Sequence, residues 1–242
     1  MLRPLLHAVQ FLTRIPVRVS GTASEQDVGR SLLFYPLVGL AIGGVLVAVW
    51  ALTENVSPLL RAALLLAAWV ALTGALHLDG LADSADAWLG GFGDRARTLA
   101  IMKDPYSGPA AVTVLMVVLI VKFAALESLL HDRRWIALLA APLLGRAVVL
   151  LLFLTTPYVR PGGLGDALAR HLPRTATVAV LMATALAIVA TLGWWSVKIL
   201  VVDLILFLIL RQIMLRRIGG ATGDTTGALV ELTELATLLA MA

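Results

Sequence analysis

The chain has 242 residues, of which 60% are hydrophobic and only 14% charged, and its mean hydropathy is +0.94. An ordinary soluble domain carries roughly 25% charged residues, so the composition excludes that class and indicates an integral membrane protein. The net charge is +4, but the basic residues do not form a patch with interleaved aromatic residues, which argues against nucleic-acid binding. The lack of cysteine excludes disulfides, thiolate zinc sites and a cysteine nucleophile.

Residues 1–18, MLRPLLHAVQFLTRIPVR, form the first predicted element. Arginines interrupt any signal-peptide core and no small-residue cleavage site follows, so we expect the segment to be retained. Its polar residues recur at helical spacing, which predicts one polar stripe on an apolar helix. The stripe consists of Arg3, His7, Gln10 and Arg14. We expect an amphipathic helix that lies in the membrane interface.

Long apolar runs follow, and several reach the ~17–25 residues that a helix needs to cross a bilayer. The predicted crossings are Phe34–Leu52, Ala62–Leu78, Pro109–Leu130, Trp135–Thr156, Thr175–Trp195 and Val197–Leu215. A seventh segment, Ala228–Ala242, is short for a full span and carries two glutamates. The predicted fold is an all-α polytopic membrane bundle of about six to seven transmembrane helices, forming a single domain over residues 1–242.

Lys and Arg are distributed unequally between the predicted loops, and an excess of these residues marks the cytoplasmic side. If the N-terminus lies in the cytoplasm, most Lys and Arg residues of the loops fall on the cytoplasmic side and few fall outside. The same orientation puts two unusual segments, residues 79–108 and 216–227, on the cytoplasmic face. We therefore expect a multi-pass protein of the bacterial cytoplasmic (inner) membrane with both segments facing the cytoplasm.

The first of these segments opens with an acidic stripe, within HLDGLADSADAW. On a helix, Asp79, Asp83 and Asp86 stand at positions i, i+4 and i+7, so their carboxylates share one face. Neither Lys nor Arg lies within the stretch to compensate them. A divalent cation that prefers hard oxygen ligands, most simply Mg²⁺, would do so. The alternative is an ordinary acidic helix start.

The second segment, RRIGGATGDTTGA, is rich in glycine around Asp224. Closely approaching backbone N–H groups of such a loop suit a phosphate group; the alternative is a plain turn before the last helix. Between the two segments, Arg95, Arg97 and Lys103 are cations that could meet phosphate oxygens. Asp104 could join a metal shell or cap a helix.

Charged residues inside the predicted spans are costly and are often functional. Lys122 and Asp203 are equally consistent with structural ion pairs and with function. Arg146 follows Gly145, which permits a close helix contact, and we expect a buried anion contact there. Taken together, the site residues favour metal-assisted chemistry on a phosphate-containing substrate.

Several motifs, in this order, are similar to those of the cobalamin synthase family, the adenosylcobinamide-GDP ribazoletransferases. They are FLTRIPV, GRSLLFYPLVGLAIG, LHLDGLADSAD, IMKD, PLLGR and GGATGDTTGA, and they cover most of the chain. The resemblance implies transfer of the adenosylcobinamide-phosphate moiety of adenosylcobinamide-GDP to α-ribazole or its 5′-phosphate. The products would be adenosylcobalamin or its 5′-phosphate, and GMP.

The resemblance also implies Mg²⁺ as the cofactor and assigns roles to residues. Asp79, Asp83 and Asp224 are expected to be catalytic metal ligands, with Asp86 as a further ligand. Positions expected to bind phosphate or nucleotide are Lys103, Asp104, Arg146, Gly219, Gly220 and Gly223. The chain departs from the family after IMKD, where Pro105 and Tyr106 replace serine and a basic residue; this puts the contact of that basic residue in doubt.

Two other readings stay open. CDP-alcohol phosphotransferases, which act on lipid precursors, also gather aspartates in a helix at the cytoplasmic interface, and Asp79 begins their pattern. Their arginine position is occupied here by Asp83, however. A transporter lined by the charged residues inside the spans is the second reading, but a transport site belongs near the bilayer midplane. The expected partners are the two substrates and the lipid bilayer; homo-oligomerisation and association with other cobalamin-assembly enzymes both stay open.

Overall fold

The computed structural model describes residues 2–19, 24–162 and 164–242. Apart from one β-bridge, the regular structure in these residues is helical. Twelve α-helices are found there: α1 Leu2–Leu12, α2 Glu25–Ser31, α3 Tyr35–Leu52, α4 Pro58–Thr73, α5 Leu76–Gly90, α6 Arg95–Ile101, α7 Pro109–His131, α8 Ala137–Thr155, α9 Leu164–Arg170, α10 Arg174–Leu192, α11 Trp194–Ile218 and α12 Gly223–Met241. The predicted all-α membrane bundle is confirmed.

Helix α8 forms the centre of the bundle, and its side chains are buried along most of its length. It packs against α3 through Gly39 and Gly43, which stand one turn apart. A methyl group added at Gly39 would lie 2.3 Å from the carbonyl oxygen of Pro142, and one at Gly43 would lie 2.6 Å from that of Leu138. Small residues at such a crossing let two helix backbones approach closely, which is how helices pack in a membrane.

By length and composition, four segments of the described residues could cross a membrane: Glu25–Leu52, Pro109–His131, Ala137–Thr155 and Arg174–Leu192. Helices α4 and α5 would add a fifth if they form one broken span. Charged residues keep α11 and α12 out of this count although both are long. The predicted number of six to seven crossings therefore stays a prediction.

The predicted crossing Ala62–Leu78 is wrong as a single helix. Gly74 and Ala75 both adopt left-handed backbone conformations, with φ of 63° and 58°. They end α4 and turn α5 away from it by 88°. Glycine commonly ends a helix in this way. A left-handed conformation is energetically unfavourable for a residue other than glycine, and nothing in the sequence around Ala75 predicts it there. The acidic stretch consequently lies on its own helix.

The N-terminal helix is shorter than predicted, because α1 ends at Leu12 and residues 13–19 are not helical. Arg14 therefore lies beyond the helix that carries the rest of the polar stripe. Its backbone N–H donates to the carbonyl oxygen of Leu72 at 2.8 Å, and its side chain packs against Gly74. The segment thus contacts the turn between α4 and α5.

Candidate active site

A cavity of about 290 Å³ lies where α5, α12 and the segment after α8 meet. Polar and charged residues line it together with several aromatic side chains. Its polar residues are His77, Asp79, Tyr158, Arg160, Asp224 and Thr226, and its aromatic wall consists of Phe11, Tyr35 and Phe153 with the ring of Tyr158. A cavity of this kind can hold a ligand that has both an apolar part and an anionic part.

Helix α5 carries the acidic stripe, as the spacing predicts. Asp79 is exposed at the cavity, and Asp83 is half-buried one turn further along. Both carboxylates lie near that of Asp224, although the two segments are far apart in the sequence. The fold thus brings together the two stretches that the sequence analysis singled out.

Two glycines allow α5 and α12 to cross closely enough for this. A methyl group at Gly80 would lie 2.6 Å from the carbonyl oxygen of Asp224. On the other helix, a methyl group at Gly227 would lie 3.2 Å from the carbonyl oxygen of His77. Any larger residue at Gly80 would push the backbone of Asp224 away, so this crossing sets the distance between the carboxylates of the two helices.

Arg160 is the cation next to these carboxylates. Its Nη1 lies 3.1 Å from Asp224 Oδ2, but the geometry does not give that oxygen a hydrogen bond. Its Nη2 donates to the carbonyl oxygen of Met102 at 3.3 Å. Burial raises the pKa of the Asp224 carboxyl, and the carboxylate of Asp79 adds to this, while Arg160 lowers it only in part. A single arginine does not balance the negative charge here.

The glycine-rich loop is much shorter than predicted, because α11 continues to Ile218 and α12 starts at Gly223. Gly219 ends α11 with a left-handed φ of 80°. A methyl group at Gly220 would lie 2.2 Å from the carbonyl oxygen of Pro157, where Ala221 pairs with Tyr158 in the β-bridge. Gly219 and Gly220 therefore shape the loop, and of the three predicted glycines Gly223 is the one that lines the cavity.

Thr222 caps α12 in a reciprocal capping box with Thr225. The backbone N–H of Thr225 donates to Thr222 Oγ1 at 3.2 Å, and the N–H of Thr222 donates to Thr225 Oγ1 at 2.9 Å. This arrangement fixes the start of the helix at the cavity. The positive end of the α12 dipole, at Gly223 and Asp224, is consequently directed at any ligand bound there.

Asp86 is engaged in a different contact. Its Oδ2 accepts from the backbone N–H of Gly108 at 2.5 Å, and its Oδ1 accepts from that of Ala111 at 3.0 Å. Asp86 thereby caps the first turn of α7. Its role as a metal ligand stays a prediction, and in this arrangement both of its oxygens are occupied.

Lys103 and Asp104 lie exposed on the segment between α6 and α7, outside the lining of the cavity. Asp104 Oδ1 accepts from the backbone N–H of Tyr106 at 3.1 Å, which forms a local turn. The guanidinium of Arg95 lies closer to the loop, against Gly219. Contacts of Lys103 and Asp104 with substrate stay predictions.

Arg146 lies in the core and not at the cavity surface. It is fully buried, and its Nη1 donates to Glu234 Oε1. Lys122 donates to Glu231 at 3.0 Å and to Glu234 as well, which closes a network between α7, α8 and α12. Gly145 makes room for the Glu234 side chain, as its position predicts. The anion next to Arg146 in the structure is thus Glu234, which takes the place of the predicted substrate contact.

Arg160, Tyr158 and the aromatic wall belong to the site although no sequence motif marks them. Arg160 contributes to the charge bias of the predicted loops, and nothing local distinguishes it from the other loop arginines. The position of the segment TTPYVRPGG gives an indirect indication. It is a short loop between two apolar runs and is expected on the cytoplasmic side, so it should lie near the other loops of that side. The aromatic residues come from α1, α3 and α8, and no spacing rule connects them.

Comparisons with known proteins identify the family. Residues 4–242 match the family model described as cobalamin-5-phosphate synthase. The chain belongs to this family. A protein of Pseudomonas savastanoi pv. phaseolicola named adenosylcobinamide-GDP ribazoletransferase is 58% identical over 239 residues, covering 99% of this chain and 98% of the relative. A relative of the same name from Stutzerimonas stutzeri is 58% identical over 241 residues, covering 99% and 97%. No solved structure matches the chain.

Proposed function

We propose that this protein is an adenosylcobinamide-GDP ribazoletransferase that depends on Mg²⁺. It transfers the adenosylcobinamide-phosphate moiety of adenosylcobinamide-GDP to α-ribazole or α-ribazole 5′-phosphate and releases GMP. The observation that carries the proposal is the family membership over almost the whole chain, joined to a cavity that contains Asp79 and Asp224. Neither lipid phosphotransfer nor transport gains support from these findings.

The carboxylates fit a hard divalent cation. Asp79, Asp83 and Asp224 supply oxygen donors, which Mg²⁺ prefers, and Asp224 Oδ2 is buried without a hydrogen bond. Among the described residues, no three His, Asp or Glu side chains lie close enough together to hold a metal ion by themselves. We therefore expect ion and substrate to complete the coordination together. Bound there, Mg²⁺ would supply neutralisation of charge on the diphosphate.

The cavity itself binds and orients the diphosphate. The first turn of α12, which begins at Gly223, offers backbone N–H groups and the positive end of the helix dipole to a phosphoryl oxygen. Arg160 can share its guanidinium between Asp224 and a phosphate oxygen, because it lies at the cavity and is partly exposed. The aromatic wall gives apolar parts of the substrates a surface and excludes water.

The reaction needs one new bond and one proton acceptor. A ribose hydroxyl oxygen of α-ribazole attacks the phosphorus nearer to the corrinoid, the bond from that phosphorus to the bridging oxygen breaks, and GMP leaves with this oxygen. The hydroxyl proton passes to one of the carboxylates at the cavity. Asp79, Asp83 and Asp224 are the groups placed for this, and burial together with neighbouring carboxylates raises the pKa of the carboxyls of Asp83 and Asp224.

We further propose that the cavity faces the cytoplasm from the inner membrane. Support comes from the excess of Lys and Arg in the segments near the site, among them Arg95, Arg97, Arg160, Arg216 and Arg217. The proposed substrates carry charged phosphate groups, which reach a site at the membrane surface without crossing hydrocarbon.

The test uses the purified full-length protein in lipid nanodiscs with adenosylcobinamide-GDP and α-ribazole. We expect GMP and adenosylcobalamin in equal amounts with Mg²⁺, and neither product after chelation by EDTA. A parallel reaction with a CDP-alcohol and a lipid acceptor examines the alternative. Product formation in the presence of EDTA would contradict the dependence on a metal ion. A lack of transfer with every divalent cation would contradict the proposed function.

A further inference from the structure

His77 connects the cavity to the buried charges below it. His77 lines the cavity, its side chain is buried, and its Nδ1 lies 3.4 Å from Arg146 Nη2. Arg146 is held in place by Glu234, which in turn contacts Lys122. The orientation of the imidazole is therefore set by a network that is itself closed to solvent.

The contact with Arg146 determines where the imidazole carries its proton. Every guanidinium nitrogen is a donor and none can accept a hydrogen bond. Nδ1 of His77 must therefore accept from Arg146, and the single ring proton must be on Nε2. With a proton on Nδ1, the N–H of His77 and the N–H of Arg146 would point at each other in a buried place, which is unfavourable.

The surroundings of His77 are otherwise charge-balanced. Lys122 and Arg146 face Glu231 and Glu234, and all four side chains are at most 5% exposed. A further positive charge on the ring would be uncompensated on this side. The ring consequently presents its Nε2 edge as a neutral hydrogen-bond donor.

We propose that His77 is a substrate-binding residue whose Nε2–H donates to an oxygen of the substrate diphosphate, with Arg146 fixing the tautomer. The proposal rests on the proposed function for the identity of the ligand. His77 lies in the same cavity as Asp79, Asp224 and Gly223, which are the groups proposed to meet the diphosphate. A neutral donor stabilises an anionic oxygen without attracting the carboxylates that hold the metal.

The proposal excludes His77 as the general base. A base at the cavity would need a free lone pair on Nε2, whereas the contact with Arg146 uses the lone pair of Nδ1 and leaves a proton on Nε2. The proton of the attacking hydroxyl must then go to a carboxylate.

The tautomer can be observed without any substrate. The chain contains only four histidines, so nitrogen NMR of the full-length protein labelled with ¹⁵N-histidine gives a simple spectrum. His77→Gln identifies the signals of His77 by their loss. At pH 7.5 we expect a protonated Nε2 and an unprotonated Nδ1. A proton on Nδ1, or on both nitrogens, overturns the proposal whatever the enzyme does.

Two variants test the contact with substrate. The amide nitrogen of His77→Gln can reach the place of Nε2, whereas that of His77→Asn ends near Nδ1. Loss of one hydrogen bond to a charged group predicts a fall in kcat/KM of roughly 10- to 100-fold for His77→Asn and a clearly smaller fall for His77→Gln. His131→Asn, an exposed histidine at the end of α7, is the matched control.

Equal kcat/KM in the Gln and Asn variants, with both proteins folded, would overturn the role of the donor. If Asn at this position prevents folding, the tautomer measurement still decides. A parent protein that shows the expected tautomer but transfers nothing would refute the proposed function and not the assignment of the proton.

Discussion

Helix α12 carries two groups of charges that are treated in opposite ways by the fold. Near its middle, Glu231 and Glu234 are buried and paired with Lys122 and Arg146, so two negative charges meet two positive ones. At its first turn, Asp224 joins the carboxylates of α5 with Arg160 as the neighbouring cation. The first group is closed and neutral, and the second is accessible and retains excess negative charge.

Whether a buried charge is compensated within the protein therefore indicates its role, structural or functional, better than its residue type does. Charges that are compensated inside the protein hold helices together and can accept no ligand. Charges that are left uncompensated at a cavity raise the energy of the empty site and are stabilised when a cation binds. Breaking each group in turn should therefore give opposite results for stability and for activity.

The largest effect is expected for Glu234→Ala. It leaves Lys122 and Arg146 with a single buried anion, which should cost roughly 3–5 kcal/mol of stability. Thermal unfolding in detergent measures the change, and Glu54→Ala, at an exposed position after α3, is the control. Similar unfolding temperatures for both variants would show that the buried network does not hold the bundle together.

The opposite pattern is expected for Asp83→Asn. Loss of one charged ligand at the reacting group predicts a fall in kcat of roughly 10²- to 10³-fold, with unchanged or higher thermal stability because like charges are removed. Asp132→Asn, at the exposed C-terminal end of α7, is the matched control. Near-normal turnover of Asp83→Asn would remove this residue from the metal site.

A smaller effect is expected where the two helices cross. In Gly80→Ala the added methyl group meets the carbonyl oxygen of Asp224, and such overpacking costs about 1–3 kcal/mol. We expect lower affinity for Mg²⁺ and lower kcat in a protein that still folds. Gly44→Ala is the control, because a methyl group there would have nothing within 4 Å. Full activity of Gly80→Ala would mean that the carboxylate spacing tolerates movement.

The smallest effect concerns pH. Because the folded protein raises the pKa of the Asp224 carboxyl, its protonated form favours folding, and that stabilisation is lost as pH rises through the folded pKa. Asp224→Asn should therefore raise the unfolding temperature of the metal-free protein at pH 8, with a smaller gain at pH 5. A larger gain at pH 5 would reverse the sign and contradict the account of Asp224.

Local features of the site could be predicted from the sequence. The spacing of Asp79 and Asp83 gives their common face on any helix, and the glycines before Asp224 indicate a turn. That these segments meet depends on contacts between distant parts of the chain, and it was expected from the resemblance and from the charge bias of the loops. The close approach through Gly80 and Gly227 has no local signal, because glycine is common in membrane helices.

Other features could not be predicted for the same reason. The partner of Arg146 is a glutamate on a helix much later in the chain, and periodicity within α8 does not show which helix packs there. Asp86 shares the stripe of the other aspartates, yet α7 begins next to it and takes both its oxygens. In each case helix packing determines the hydrogen-bond partner, and the residue spacing within one segment does not predict it.

The turn at Gly74 and Ala75 has a consequence for the bilayer itself. Helix α4 has 16 residues, which at 1.5 Å per residue is about 24 Å, less than the hydrocarbon thickness of about 30 Å. Local thinning of the lipids beside a short membrane helix is one way in which a bilayer accommodates such a mismatch. Water and headgroups would then reach down to the level where α5 begins, so that polar substrates meet the carboxylates without entering hydrocarbon.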